Sequence, residues 1–140
     1  MPWAARTKKP RRPLVAEPRS MVVVDTSAWI QHFRKRDETL VDLLEHSRAV
    51  THPFIIGELA CGSLKNRHST LELFTLLPQG QLASHDEVLN FVESHRLFAG
   101  GIGWVDAHIL ASCLLDGFSL YTKDKPLQRA ATVCKIGMVN

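Results

Sequence analysis

Short apolar runs and helical stretches alternate along this chain from Met21 onward. Met21-Val22-Val23-Val24 is a short apolar run that predicts a first strand over 21–24. Asp25-Thr26-Ser27 then supplies side chains that cap a helix, and Trp29, Ile30 and Phe33 recur at helical spacing as far as about Arg36. A second helix is expected over 37–46, carrying Leu40, Leu43 and Leu44, followed by a strand over 48–51. Pro53 suits the first turn of a helix over 53–64, and another helix runs over 66–77 until Pro78-Gln79-Gly80 breaks it. Further on come a weak strand at 81–83, a helix over 86–98, a glycine loop at 100–103 and a long apolar helix over 104–115 ended by Gly117. A strand at 119–122, a short helix over 124–132 and a final strand at 135–139 complete the chain. Strands separated by helices need crossover connections, which predicts an α/β fold: a three-layer sandwich with a central parallel β-sheet.

Four acids interrupt this pattern. Asp25 follows the first strand, Glu58 breaks the run from Phe54 to Ala60, Asp106 opens the apolar helix after Trp104-Val105, and Asp124 follows Leu120-Tyr121-Thr122-Lys123. A carboxylate beside buried surface must be paired, hydrogen-bonded or metal-bound, because desolvating it alone is costly. No apolar segment carries a matching cation, so a divalent ion is the expected partner, and oxygen-only donors suit Mg²⁺ or Mn²⁺ better than zinc. In open parallel sheets, ligands sit beyond the carboxyl ends of the strands where strand order reverses. Asp25 and Asp124 lie just past predicted strands; if those strands are neighbours, all four acids converge at one edge. Each acid also has an ordinary role open to it. Asp25 and Asp124 suit helix N-caps, Asp106 suits a helix dipole, and Glu58 suits the wet side of its helix.

Composition narrows the class. The 140 residues with 45% hydrophobic content make one globular domain with a real core over 21–140. No apolar stretch approaches the roughly 18 residues of a membrane span. Cys61, Cys113 and Cys134 are far apart and form no C-x-x-C pair, so reduced thiols in a cytoplasmic protein are expected rather than disulfides or a zinc knuckle. Residues 1–20 hold six Lys/Arg against one Glu, or +5, so residues 21–140 carry −2 of the overall +3. With Pro2, Pro10, Pro13 and Pro18 and few large apolar side chains, this extension is expected to be disordered. Two readings of it stay open: a basic tail that adds affinity for nucleic acid, or a stretch preceding a native start at Met21.

The segments Val22-Val23-Val24-Asp25-Thr26-Ser27-Ala28-Trp29-Ile30, Gly57-Glu58-Leu59, Val105-Asp106-Ala107 and Thr122-Lys123-Asp124 resemble a PIN domain. More narrowly, they resemble the VapC toxins of toxin–antitoxin modules, over about 21–139. The resemblance implies a metal-dependent endoribonuclease whose acidic quartet, Asp25, Glu58, Asp106 and Asp124, holds Mg²⁺ or Mn²⁺. It also implies a supporting role for Ser27 and Thr122, two residues after the first acid and two before the last. Such proteins are usually homodimers, neutralised by a VapB-type antitoxin in heterotetramers or larger assemblies. The antitoxin's tail follows a groove beside the first helices, where Trp29, Ile30 and Phe33 either line the groove or pack the core. In the implied reaction, metal held mainly by Asp25, Asp106 and Asp124 polarises the phosphate and lowers the pKa of a water. Glu58 or another acid orients that water, and in-line attack leaves a 5′-phosphate and a 3′-hydroxyl. Many relatives carry a further acid shortly after the position of Asp124. Here Lys125-Pro126-Leu127 follows, which argues against tight binding of a second metal.

Other readings fare worse. A catalytically inactive PIN-like module that binds RNA or a partner is the alternative, and the intact quartet argues against it. A haloacid-dehalogenase phosphatase needs a second Asp where Ser27 stands, and a receiver domain needs an Asp after the third strand, where Leu82-Ala83-Ser84 offers none. Ser84-His85-Asp86 are adjacent, which is no basis for a catalytic triad. His108 faces away from Asp106 on the helix and is expected to be structural. Arg34, Lys35, Arg36, Lys65, Arg67, Lys123 and Lys125 are the cations available to an approaching RNA.

Overall fold

The computed structural model describes residues 21–140; the basic extension expected over 1–20 lies outside the described residues. Its centre is β1 (Val22–Val24), whose three side chains are fully buried. Successive strand side chains point to opposite faces, so burial of all three means that both faces of the sheet are covered. β1 pairs in parallel with β2 (Ala49–Val50) on one side and β3 (Ser119–Tyr121) on the other, in the order β2-β1-β3. The chain leaves β1 through α1 (Thr26–Arg34) and α2 (Glu38–Glu45) and enters β2. It then crosses back through α3 (Pro53–Cys61), α4 (Arg67–Leu76), α5 (His85–Ser94) and α6 (Trp104–Asp116) to β3, and α7 (Lys125–Val133) follows. The architecture is α/β with a parallel sheet, as the alternating pattern predicts.

Strand order therefore reverses between β1 and β3, and the neighbour relation on which convergence of the acids depends holds. The ladder continues past the strand ends, where the backbone N–H of Asp25 donates to the carbonyl of Tyr121 at 2.9 Å. That bond fixes the start of α1 against the end of β3.

Two expected strands differ. Residues 81–83 do not pair; the sheet contact falls two residues earlier, as a single parallel bridge between Thr51 and Gln79. Gly80 presses against α6 so closely that a Cβ there would lie 2.2 Å from Ser112 Oγ. The Asp116 carboxylate then takes the Gln81 backbone N–H at 2.8 Å, which removes the donor that a ladder would need. At the C-terminus, 135–139 reduces to one parallel bridge, Leu120 to Met138, after Lys135 turns through a left-handed φ of 59°. The helices start where expected within a few residues, and α5 starts on a full capping box between Ser84 and Glu87. That box accounts for the serine of Ser84-His85-Asp86.

Candidate active site

The strand ends build half of the site. Asp25 is buried and caps α1. Its Oδ2 accepts hydrogen bonds from Ser27 Oγ and Thr122 Oγ1, both at 2.8 Å, and from the Ser27 backbone N–H at 3.4 Å. Those hydroxyls are themselves held from behind. The Lys123 N–H donates to Ser27 Oγ at 3.0 Å, and the Asp124 N–H donates to Thr122 Oγ1 at 3.1 Å. Each hydroxyl has one proton, so accepting from the backbone leaves that proton for Asp25. The result is a fixed relay from the β3–α7 turn through Ser27 and Thr122 to the carboxylate. Asp124, half-buried, caps α7 by accepting from the Leu127 N–H at 3.0 Å.

Helices bring the other two acids. Asp106, in the first turn of α6 and half-buried, accepts from the Gly103 N–H at 3.2 Å. Glu58 on α3 is exposed, on the wet side of its helix. Ile55 and Leu59 take the buried face, and Thr26 Oγ1 donates to Glu58 Oε1 at 2.6 Å, tying α3 to the start of α1.

Three of the carboxylates act on the fourth, Asp106. Burial raises the pKa of Asp106, its bond from Gly103 pulls the other way, and the charges of Asp25, Asp124 and Glu58 add to the rise. Yet no three His, Cys, Asp or Glu side chains among the described residues stand close enough to hold a metal as placed. The two observations fit together. Asp25, Asp124 and Glu58 lie within Coulomb range of Asp106, and each of the four accepts a hydrogen bond of its own. Each uses a single oxygen for those bonds, and no described residue hydrogen-bonds the second oxygen of Asp25, Glu58, Asp106 or Asp124. Four carboxylates, each with an oxygen to spare, are a donor set suited to a hard divalent cation.

Comparison with known proteins decides the family. A family model described as PIN domain matches residues 22–133. Ribonuclease VapC32 of Mycobacterium tuberculosis, in strains CDC 1551 / Oshkosh and ATCC 25618 / H37Rv, is 47% identical over 111 residues, 79% of this chain and 90% of the relative. The chain belongs to the VapC-type PIN-domain ribonuclease toxins. A solved structure, PAE2754 from Pyrobaculum aerophilum, is similar with a TM-score of 0.54 at 16% identity, covering 85% of this chain and 83% of that one. At that identity it speaks for the fold alone. PIN-domain ribonucleases of the VapC type are typically metal-dependent.

Within this VapC-type site, pattern reasoning passed over two residues. Thr26 was noticed only as capping chemistry; its partner is 32 residues away and leaves no local signal. Asp37 caps α2, accepts from Tyr121 Oη at 2.5 Å and lies 3.8 Å from Lys123 Nζ. Burial would raise the Asp37 carboxyl, but bonds from Tyr121 and Leu40, the Lys123 charge and the Thr39 N–H outweigh it and hold it below its ordinary value. Of the expected cations, Lys123 is thus tied to Asp37, and Arg36 pairs with Glu38 at 2.7 Å. Arg67 donates to the carbonyls of Ala60 and Gly62. Trp29 is core, packed edge-on to Phe74 at 4.6 Å, whereas Ile30 and Phe33 are exposed. His108 is buried between Phe54 and Trp104, a structural position as expected.

Proposed function

We propose that Asp25, Glu58, Asp106 and Asp124 hold a divalent cation, Mg²⁺ with Mn²⁺ as a substitute, for hydrolysis of an RNA phosphodiester bond. The charge of Asp25, Asp124 and Glu58 acting on Asp106 is the observation that carries this reading. When bound, the cation supplies Lewis-acid polarisation of the phosphate and a more acidic water. The chain's own residues supply the rest. Ser27 and Thr122 hold Asp25 in place by donating to its Oδ2. Asp124 holds the start of α7 while leaving one oxygen for the site. Glu58, exposed and held by one hydroxyl, is the acid free to orient the attacking water. In-line attack then releases a 5′-phosphate and a 3′-hydroxyl.

The same reading gives the protein a VapB-type antitoxin, a homodimeric state with larger antitoxin assemblies, and a cytoplasmic location. Exposed Ile30 and Phe33 on α1, with Leu73 and Leu76 exposed on neighbouring α4, support an apolar docking surface for that antitoxin. No helix among the described residues is long and apolar enough to cross a membrane.

The test is cleavage of total RNA with and without EDTA, repeated for Asp25→Ala. Loss of metal, or of Asp25, is expected to lower the rate by at least ~10²-fold, since the several kcal/mol a metal contributes correspond to that factor or more. Asp25→Ala cleaving at the wild-type rate in Mg²⁺ would overturn the assignment.

A further inference from the structure

A cavity of about 140 Å³ lies between the segment that precedes α6 and α7. Ile102, Pro126, Ala130 and Val133 give it apolar walls, and Arg96 and Arg129 stand at it. Both arginines are exposed, and neither guanidinium has an ion-pair or hydrogen-bond partner among the described residues. This sets them apart from Arg36 and Arg67, whose charges are engaged. Two of its walls are joined to the site through the chain. Ile102 adjoins Gly103, whose N–H holds Asp106, and Pro126 is two residues beyond Asp124. Gly101, with φ of 85°, packs its backbone onto Pro126, where a Cβ would lie 3.4 Å from the proline ring. The space would admit a Cβ, but that left-handed φ strains any side chain placed there.

An RNA strand must be held against four carboxylates that repel its phosphates. Apolar walls flanked by planar, uncommitted guanidiniums match an unstacked nucleobase with a phosphate beside it. Arginine planes stack on bases and bind phosphate in one geometry. We propose that this cavity is a binding subsite for a single-stranded nucleotide of the RNA substrate flanking the scissile bond, with Arg96 and Arg129 as its specificity and positioning residues. The proposal rests on the ribonuclease reading but is tested apart from it.

The experiment measures binding of a short mixed-sequence single-stranded RNA, labelled with fluorescein, to the full chain in EDTA, where cleavage does not interfere. Arg96→Gln/Arg129→Gln is expected to raise Kd at least ~10-fold and to flatten the slope of log K against log salt by roughly 1.4, about 0.7 for each lost phosphate contact. Arg96→Lys/Arg129→Lys should keep the slope but not the affinity, because lysine restores charge without a stacking plane. In Mg²⁺, the glutamine pair should raise KM with kcat unchanged. A glutamine pair with wild-type Kd and salt slope would overturn the subsite. So would one that binds RNA normally but loses its antitoxin, which would assign the cavity to a peptide. Arginine-dependent binding by a wild-type protein that cleaves no RNA in any metal would keep the subsite and overturn the ribonuclease reading instead.

Discussion

The two halves of the acidic site are built to different standards. On the strand side, Asp25 is buried and receives three hydrogen bonds, and two of its donors are braced by the backbone of the β3–α7 turn. On the helix side, Glu58 is exposed with one hydroxyl partner, and Asp106 has one backbone donor at 3.2 Å. The difference follows from what each half hangs on. β1 and β3 are adjacent in a ladder of fixed register, so residues just past their ends are placed by the sheet. α3 and α6 are not joined to that ladder, and α3 is tied to α1 by the Thr26 side chain. The strand half is thus the more firmly placed, and the helix half is the more loosely held. Preformed groups need no reorganisation at the moment of reaction, which makes the strand half the larger lever.

The sharpest way to break that comparison is to remove the brace while keeping the acid. In Ser27→Ala/Thr122→Val the Asp25 carboxylate loses both hydroxyl donors. Hydrogen bonds to a charged group contribute about 1.5–3 kcal/mol each, so activity should fall by ~10²-fold, with weaker Mg²⁺ binding by calorimetry. The backbone N–H groups of Lys123 and Asp124 also lose their acceptors, so a lower Tm is expected. A double variant with wild-type activity would show that Asp25 needs no positioning and that the two halves are equivalent.

This division also explains what the sequence disclosed. The strand half was legible because Val22-Val23-Val24-Asp25 and Leu120-Tyr121-Thr122-Lys123-Asp124 place an acid just past an apolar run, a local pattern with a topological meaning. The helix half was legible only as residue types. Nothing around Glu58 states that it stays wet, since Ile55, Leu59 and the exposed edge of α3 differ by rotation about an axis set by tertiary packing. The Thr26 to Glu58 bond and the Tyr121 to Asp37 bond join residues far apart in sequence and have no local trace. The strand expected at 81–83 failed for a similar reason. Close approach of Gly80 to Ser112 and capture of the Gln81 N–H by Asp116 are decisions of the packed fold, not of local propensity.

A smaller effect separates charge from ligation on the helix side. Burial and the three other acids raise the pKa of Asp106 above its ordinary 3.8, despite the bond from Gly103. The folded state then binds that proton more tightly than the unfolded chain does. The ionised form therefore costs stability at neutral pH, and the cost vanishes as pH falls through the folded pKa. Asp106→Asn should accordingly raise the Tm of the metal-free protein at pH 7 while cleavage is lost, and the gain should shrink on acidification towards pH ~4. Mg²⁺ should raise the wild-type Tm and leave the variant's nearly unchanged. A variant less stable than wild type at pH 7 without metal would mean that the acids do not repel one another, and that the helix half is as well braced as the strand half.

The smallest expected effect lies at Thr26, the single tether of Glu58. Thr26→Val preserves shape and removes the hydroxyl, leaving an exposed carboxylate that water can solvate instead. A solvated acceptor loses little, so stability should change by no more than about 0.5 kcal/mol, in line with surface substitutions. The rate should fall only ~2–5-fold, because Glu58 is then oriented part of the time rather than removed. Glu58→Gln keeps the tether and removes the charge, and it should cost far more activity than Thr26→Val. If Thr26→Val instead matched Glu58→Gln in its loss of rate, the tether would be as indispensable as the acid. The helix side would then be preorganised through a cross-link invisible to burial, and the contrast between the two halves would fail where the structure makes it look strongest.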